Sequence, residues 1–347
     1  MFQVKNRVQL MRLFGVLLAT LLLTALLAAC GDSTTTGTIA ASTTAPAAAA
    51  TTAVATTKAA TTAAATTAAA ATTAAGTVAT GAPKISLKKL VVGLIPAENA
   101  TKSIDNAQPF GKALEKELGV PVEIWVGASY TATIEALASG KIDVAWLGPF
   151  SYVLAADKYN AEISVMQLGE GGATSYNSLI ITTPKTNIKT LADLKGKSFS
   201  FVDPASTSGN LVPRYIFMKN GIDPDKDLQA VYAGDHNASL NGVLSGKTSA
   251  GAVASDIFKK SMDNGDFKES DIVIIQKSDP IPNSPIAVRK EMVAGDKAAI
   301  KQAFLNIKDP EALKAIIAVG FVETPDSNYN VLRDIATTLK LDLTKLK

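Results

Sequence analysis

The sequence predicts an α/β protein of two lobes, and three observations lead there. Beyond Lys84, short β-branched runs alternate with stretches of helical period. Two separated stretches repeat one order of helix, glycine stop, strand and loop, and the front of the chain holds nothing from which a core is built.

The front reads as targeting and tether rather than as fold. Lys5, Arg7 and Arg12 make a basic head, and Phe14 to Leu27 is an apolar run too short and too abruptly ended for a membrane span. It closes on Leu27-Ala28-Ala29-Cys30, small residues before a cysteine. Residues 1–29 are therefore expected to be a lipoprotein signal peptide, with Cys30 the lipidated first residue of the mature protein; the alternative is an uncleaved anchor helix with an incidental cysteine. Lipidation accounts for the only cysteine and leaves none for disulfides. Residues 30–83 are Thr and Ala with Lys58 the only charge after Asp32, a composition that cannot offset its ordering entropy and is expected to be a disordered tether. The chain carries 34 basic and 31 acidic residues, a balance of +3, and the signal peptide alone supplies three bases and no acids. The mature protein is then near neutral, which removes the argument for nucleic acid as a partner. A monomer outside the cytoplasm, held to the cell membrane by lipid and a flexible arm, is the expectation.

The stretch from Lys84 to Lys347 is long enough for two lobes with a sizeable core. "KLVVGLIP", "VEIWVG" and "IDVAWLG" read as strands, separated by helices over Ile104 to Leu118, Tyr130 to Ser139 and Phe150 to Lys158. The beat resumes with the strands "KSFSFVD", "LQAVYAG", "SAGAVAS" and "DIVIIQ", with helices after Ser208, from Asn237 and from Asp256. Strand, helix, strand in this rhythm implies parallel pairing with helical crossovers. "IEALASGKIDVAWLGPF" and "LNGVLSGKTSAGAVASDIF" resemble each other, with Gly140 and Gly246 suited to left-handed helix ends. Either any αβ unit looks like this, or the lobes share one plan. In the second case Gly148-Pro149 and Ser255-Asp256 stand at equivalent loops at the carboxyl ends of strands, where open α/β sheets bind ligands.

The stretch "FVDPASTSGNLVPRYIFMKNG" crowds Ser206, Thr207 and Ser208 between a strand and a helix. Amides at a helix N-terminus lack partners and carry partial positive charge, so hydroxyls beside them, with Gly209 to let the backbone approach, make an anion site without a full cation. Capping alone needs one hydroxyl, not three.

Together with that turn, "GKIDVAWLGPFSYVLA", "AGDHNASLNGVLSGK" and "IPNSPIAVRK" resemble the signature segments of the phosphate/phosphonate (phosphite) substrate-binding proteins of ABC transporters, over about Leu90 to Ala318. The resemblance implies a type II periplasmic-binding-protein fold, two α/β lobes joined by two crossovers with a ligand clamped between them. Lobe 1 would comprise 84–181 and, returning, 284–347; lobe 2 would comprise 182–283. It further implies a small phosphoryl oxyanion as ligand, an ABC permease and its ATPase as partners, and no cofactor or metal.

Carried residue by residue, the resemblance assigns Tyr130 to the cleft wall and Tyr176 to a place near the hinge. Ser206, Thr207 and Ser208 would hold the phosphoryl oxygens, His236 would donate to them, and Asp256 would stand beside the anion. A lone histidine is more often structural, but His236 opens a helix after a strand. A carboxylate at Asp256 can accept a hydrogen bond from a protonated phosphoryl oxygen and repel a fully ionised competitor such as sulfate. Ser284 is uncharged where members that favour aminoalkylphosphonates would carry an acid, which points to phosphate, phosphite or methylphosphonate, although Asp279 is close enough in sequence to reach the ligand.

Two rivals stand beside this reading. A Ser/His hydrolase has its residue types present, but no Gly-x-Ser-x-Gly elbow, HExxH, GxGxxG or Walker-type run accompanies them. A sensor subunit with the same binding fold and a signalling partner is the other.

Overall fold

The computed structural model describes residues 85–343. The signal peptide expected over 1–29, the lipidated Cys30 and the tether over 30–83 lie outside the described residues.

Seven elements come first: β1 (Leu90–Leu94), α1 (Ala100–Leu118), β2 (Val122–Val126), α2 (Tyr130–Ala138), β3 (Val144–Trp146), α3 (Pro149–Tyr159) and β4 (Glu162–Leu168). Helix α1 starts four residues before the expected Ile104, because the Asn99 side chain accepts the Lys102 amide and caps it there. β1 pairs in parallel with both β2 and β3. Wholly buried β3 reads as a continuous apolar run, as strands covered on both faces do.

The chain then crosses through β5 (Ser175–Tyr176) into β6 (Ser178–Thr182), β7 (Ser198–Phe201), α4 (Val212–Lys219), β8 (Gln229–Tyr232), α5 (His236–Leu244), β9 (Ala250–Ala254), α6 (Ser255–Asp263) and β10 (Val273–Lys277). It returns through β11 (Ile281–Pro282) to β12 (Pro285–Val288), α7 (Ala294–Asn306), α8 (Pro310–Ala315), β13 (Gly320–Val322) and α9 (Asn330–Thr338).

One sheet has the order β13-β4-β12-β3-β1-β2 and the other β10-β6-β9-β7-β8. Without β13 the two orders are the same, so α2-β3-α3 and α5-β9-α6 are equivalent units and the internal resemblance is a shared lobe plan. Gly140 and Gly246 end their helices at φ 72° and 75°, where a side chain would be strained. Pairing is not purely parallel: β12 and β6, each the first strand after a crossing, run antiparallel inside their sheets. β5 and β11 pair with each other, Tyr176 opposite Ile281, and form the two-segment connection. Since β6 belongs whole to the second sheet, the crossing falls between Tyr176 and Ser178, a few residues before the boundary expected after 181.

In the first lobe Phe110, Trp146, Phe304 and Phe321 pack edge to face or tilted, with centroids 5.0 Å apart for Phe304 and Phe321. A second core is shared between lobes: Phe150, Tyr152 and Val153 of α3 lie in one buried cluster with Val202, Ala205, Leu211 and Val212. No helix among the described residues is long and apolar enough to cross a membrane.

Candidate functional site

The hydroxyl turn is built by the end of β7. Asp203 turns the chain by accepting the Ala205 amide on Oδ1 at 2.8 Å, while its carbonyl accepts the Ser206 amide at 2.9 Å. Ser206 then caps, its Oγ accepting from the Gly209 amide at 3.1 Å. Thr207–Leu211 form a wide turn, with the Leu211 amide donating to the Ser206 carbonyl at 3.0 Å, before α4 begins. Only Ser206 serves as the cap, so the other two hydroxyls are spare for it.

Gly209 has a different reason from the one expected. A Cβ there would lie 2.4 Å from the Val202 side chain, and the Val202 amide donates to the Gly209 carbonyl. Glycine is required by close packing of the turn on the strand end, and Gly209 is not part of the cavity wall. Beneath the turn, Asn210 accepts from Arg214 Nε at 2.8 Å and from the Tyr232 hydroxyl at 3.1 Å, with Arg214 4.7 Å above the Phe201 ring. Ser178 of β6 donates to the Ser208 carbonyl at 2.6 Å. The turn is thus braced from three elements.

Between the lobes lies a cavity of about 140 Å³ whose wall includes Tyr130, Tyr176, Ser206, Thr207, Ser208, His236 and Asp256. All seven residues singled out in the sequence meet there, although they span four strand ends and the connection. Asp279 does not: it is exposed and is not part of the cavity wall. Of the two equivalent loops, Gly148 and Asp256 reach the wall, whereas Ser255 pairs with Asn177 at the connection.

The lobes grip each other around this space. The Phe150 amide of α3 donates to Thr207 Oγ1 at 2.8 Å, and Ser151 Oγ to the Ala205 carbonyl at 2.9 Å. The Tyr130 amide reaches Asp203 Oδ2 at 3.4 Å, and the His236 amide donates to the Ala97 carbonyl at 3.0 Å. At the rim Lys260 Nζ meets both oxygens of Glu98 at 3.0 and 2.7 Å, a largely covered pair.

These bonds fix which protons remain. A threonine hydroxyl has one proton and two lone pairs, so Thr207, already accepting from Phe150, still has its O–H to give. The Tyr130 hydroxyl is buried and makes no well-formed hydrogen bond, and burial, then Asp203 and Tyr176, hold its pKa high against the nearby Ser206 hydroxyl, which draws it down, so it stays protonated. His236 accepts the Ala254 amide on Nδ1 at 3.2 Å, which puts the proton of the neutral ring on Nε2. Burial pulls the His236 pKa down to about 3. At Asp256, burial pushes the carboxyl up, Glu98 adds to this and Lys260 opposes it, while Oδ1 accepts the Ile257 amide at 2.9 Å. None of the described residues lining the cavity is Lys or Arg.

Buried neutral histidine has a measurable consequence. In the unfolded chain His236 protonates near 6.5, in the folded protein only near 3, so across that window the unfolded state binds more protons. The contribution of His236 is present in full above 6.5 and is lost as pH falls toward 3. Unfolding in denaturant at about pH 4.5 and pH 7 is expected to show a pH-dependent loss in the wild type that is smaller by one or more kcal/mol in His236→Gln. Equal losses in both proteins would contradict a neutral buried ring.

Several wall residues carried no recognisable signal. Glu98 and Lys260 are far apart in sequence and meet only on the closed rim. Gln167, Ile316 and Ile317 come from β4 and from the loop after α8, elements without a clear pattern in the sequence. Asp203 was legible as a strand end, not as the acceptor for α2 across the cleft.

Two lobes of equal sheet order, joined by two crossing segments, with a polar cavity at the carboxyl ends of their strands, define the type II periplasmic-binding-protein fold. Residues 92–329 match the model of the periplasmic substrate-binding proteins of phosphonate ABC transporters, and the chain belongs to that family. The phosphate-import protein PhnD of Mycolicibacterium smegmatis is 32% identical over 209 residues, 57% of this chain and 65% of that protein. The phosphonates-binding periplasmic protein of Escherichia coli is 30% identical over 240 residues, 67% of this chain and 71% of that one. Among solved structures, the binding-protein component of a phosphonate ABC transporter from Pseudomonas aeruginosa superimposes with a TM-score of 0.69 at 24% identity, covering 73% of this chain and 86% of its own.

Proposed function

We propose that this protein is the extracytoplasmic solute-binding component of an ABC importer, which captures a phosphoryl oxyanion between its lobes and delivers it to a membrane permease powered by an ATPase. The observation that carries the reading is convergence of protons without a cation: the Thr207 hydroxyl held from the opposite lobe, the orphan hydroxyl of Tyr130 and the Nε2 proton of His236 all belong to one cavity wall. Neutral donors in a water-poor site suit an anion that must also leave again. Asp256, its carboxyl pushed up by burial, suits a ligand that brings a proton to share. Tyr176, Ser206 and Ser208 complete the ring of hydroxyls. Lipid on Cys30 and the tether over 30–83 would keep this monomeric receptor near its permease.

Hydrolysis fits the geometry poorly. In a Ser/His device the histidine donates a hydrogen bond from Nδ1–H to a carboxylate, keeps that proton, and takes a second one on Nε2. Here Nδ1 accepts a backbone amide, and a ring that protonates only near 3 is a weak base.

A thermal-shift panel of phosphate, phosphite, methylphosphonate and sulfate tests the reading. A ligand at 100 times its dissociation constant adds about 2.7 kcal/mol to stability, enough to raise the melting temperature by several degrees. At least one phosphoryl compound is expected to do so, and sulfate is not; a panel in which no phosphoryl compound shifts melting would remove the proposal.

Tyr130→Phe separates binding from fold. Deleting an unpaired buried hydroxyl removes a desolvation cost of about 1–3 kcal/mol, so melting without ligand is expected to stay level or rise. Phosphoryl affinity is expected to fall about tenfold, as one donor to a charged group is lost. Calorimetry giving unchanged affinity would show that the hydroxyl does not face the ligand.

A further inference from the structure

A second cavity, of about 310 Å³, lies in the first lobe, where β4, the end of β12, α7 and the chain after β13 meet. The strand register fixes its place. Val288 in its wall stands opposite Val144, the first residue of β3, whereas Trp146 at the carboxyl end of β3 lines the cavity between the lobes. The two cavities therefore belong to opposite ends of one sheet.

Two interruptions of that sheet make the space. β13 pairs with β4 only as far as Val322 opposite Met166, so Glu162 to Val165 has no paired strand on that side. On the other side Ile286 and Ala287 are consecutive, yet they pair with Val165 and Ile163, which makes Ser164 the extra residue of a β-bulge. A bulge re-aims the side chain that it inserts. Ser164 belongs to the cavity wall, is only 9% exposed, and its Oγ has no hydrogen-bond partner. Unpaired buried hydroxyls are destabilising and rare, so this one is short of a partner that the protein does not supply.

Charge around the hydroxyl is balanced rather than of one sign. Lys297 and Lys301 lie one turn apart on the same face of α7, with Lys297 Nζ 2.8 Å from Glu162 and Lys301 Nζ 3.0 Å from Glu323. Lys297 also donates to the Lys290 carbonyl at 2.8 Å. An ammonium has three protons and a carboxylate about four lone-pair sites, so both ion pairs keep donors and acceptors to spare. Thr324 Oγ1 accepts from Asn328 at 2.6 Å and still has its own proton to give. An entering anion would meet two carboxylates, and an entering cation two ammonium groups. A neutral molecule rich in hydroxyls meets neither obstacle, because each hydroxyl can donate to a carboxylate and accept from an ammonium while the ion pairs stay intact. Ile163, Val288 and Ala298 give its C–H face an apolar wall.

We infer that this cavity is a binding site for a neutral polyol, either a free sugar or the terminal sugar of a glycan, held by Ser164, Lys297, Lys301, Glu162 and Glu323. It is separate from the cleft and does not depend on what the cleft binds.

Calorimetry of the protein with glucose, mannose, N-acetylglucosamine and myo-inositol, and with sulfate and choline as charged controls, tests the site. At least one polyol is expected to bind one to one, with the same affinity whether or not methylphosphonate is present, and the charged controls are not. Ser164→Ala and Lys301→Met are each expected to weaken that polyol about fivefold, the effect of one lost hydrogen bond, and to leave methylphosphonate binding as it was. Ser164→Ala should melt no lower than the unaltered protein, since it loses only an unpaired hydroxyl. A trisaccharide that binds more tightly than its monomer identifies a glycan end, and equal binding identifies the free sugar. Absence of binding by every polyol, binding of sulfate or choline in their place, competition with methylphosphonate, or polyol affinity untouched in both variants would overturn the site.

Discussion

Thr207→Val is expected to weaken phosphoryl binding by roughly a hundredfold. Valine keeps the shape and deletes the oxygen, and that oxygen works in both directions: it accepts the Phe150 amide of the opposite lobe at 2.8 Å and has its own proton left for the anion. Losing a donor to a charged group costs about 1.5–3 kcal/mol, and a buried amide stripped of its acceptor about 1–3 kcal/mol more. The second cost falls on the contact between the lobes that the structure shows. Ser206, not Thr207, caps the turn, so the fold should survive. Calorimetry and melting measured together decide the matter: affinity within threefold of wild type would mean that Thr207 only packs.

Asp256→Asn should change what is bound more than whether anything is bound. If Asp256 accepts the proton of a singly protonated phosphoryl group, the wild type rejects anions that bring no proton, and its affinity falls as pH rises through the ligand's second ionisation, near about 6 for a phosphoryl ester. The amide of asparagine can donate as well as accept, so it tolerates a fully ionised oxygen. The variant is expected to bind sulfate at least tenfold better than wild type and to lose most of the decline with rising pH. The wild-type advantage for its own ligand is then greatest at the lower pH, where the protonated ligand dominates. Titration with sulfate and methylphosphonate at two pH values gives both ratios, and a sulfate-to-phosphonate ratio that does not move would remove the proton-sharing role. A hydrolase would show the opposite pattern, lost turnover with selectivity kept.

The difference between legible and illegible parts has a physical origin. β1, β3 and β9 announced themselves because strands covered on both faces must be continuously apolar, β7 by its alternation of Ser and Phe, and the Gly140 and Gly246 stops marked the helices between them. Ser206 to Ser208 stood out because one cap does not need three hydroxyls. By contrast β12 and β6 were invisible as antiparallel insertions, since a short apolar run carries no direction. The reason for Gly209 was misread because its constraint comes from Val202, which packs against it on the other side of the turn. Ile317 could not be found from sequence at all: its left-handed backbone is imposed by Gln167, 150 residues away.

The central claim is that a phosphoryl group sits between the lobes with its oxygens on the hydroxyl turn, and a crystal structure of the protein with ethylphosphonate tests it most directly. Phosphoryl oxygens are expected within about 2.6–3.2 Å of the hydroxyls of Thr207, Ser208 and Tyr130 and of His236 Nε2. One oxygen should face Asp256. Ligand density outside this cavity, or a phosphoryl group turned to the Ile316–Ile317 wall with the hydroxyl turn untouched, would contradict the account.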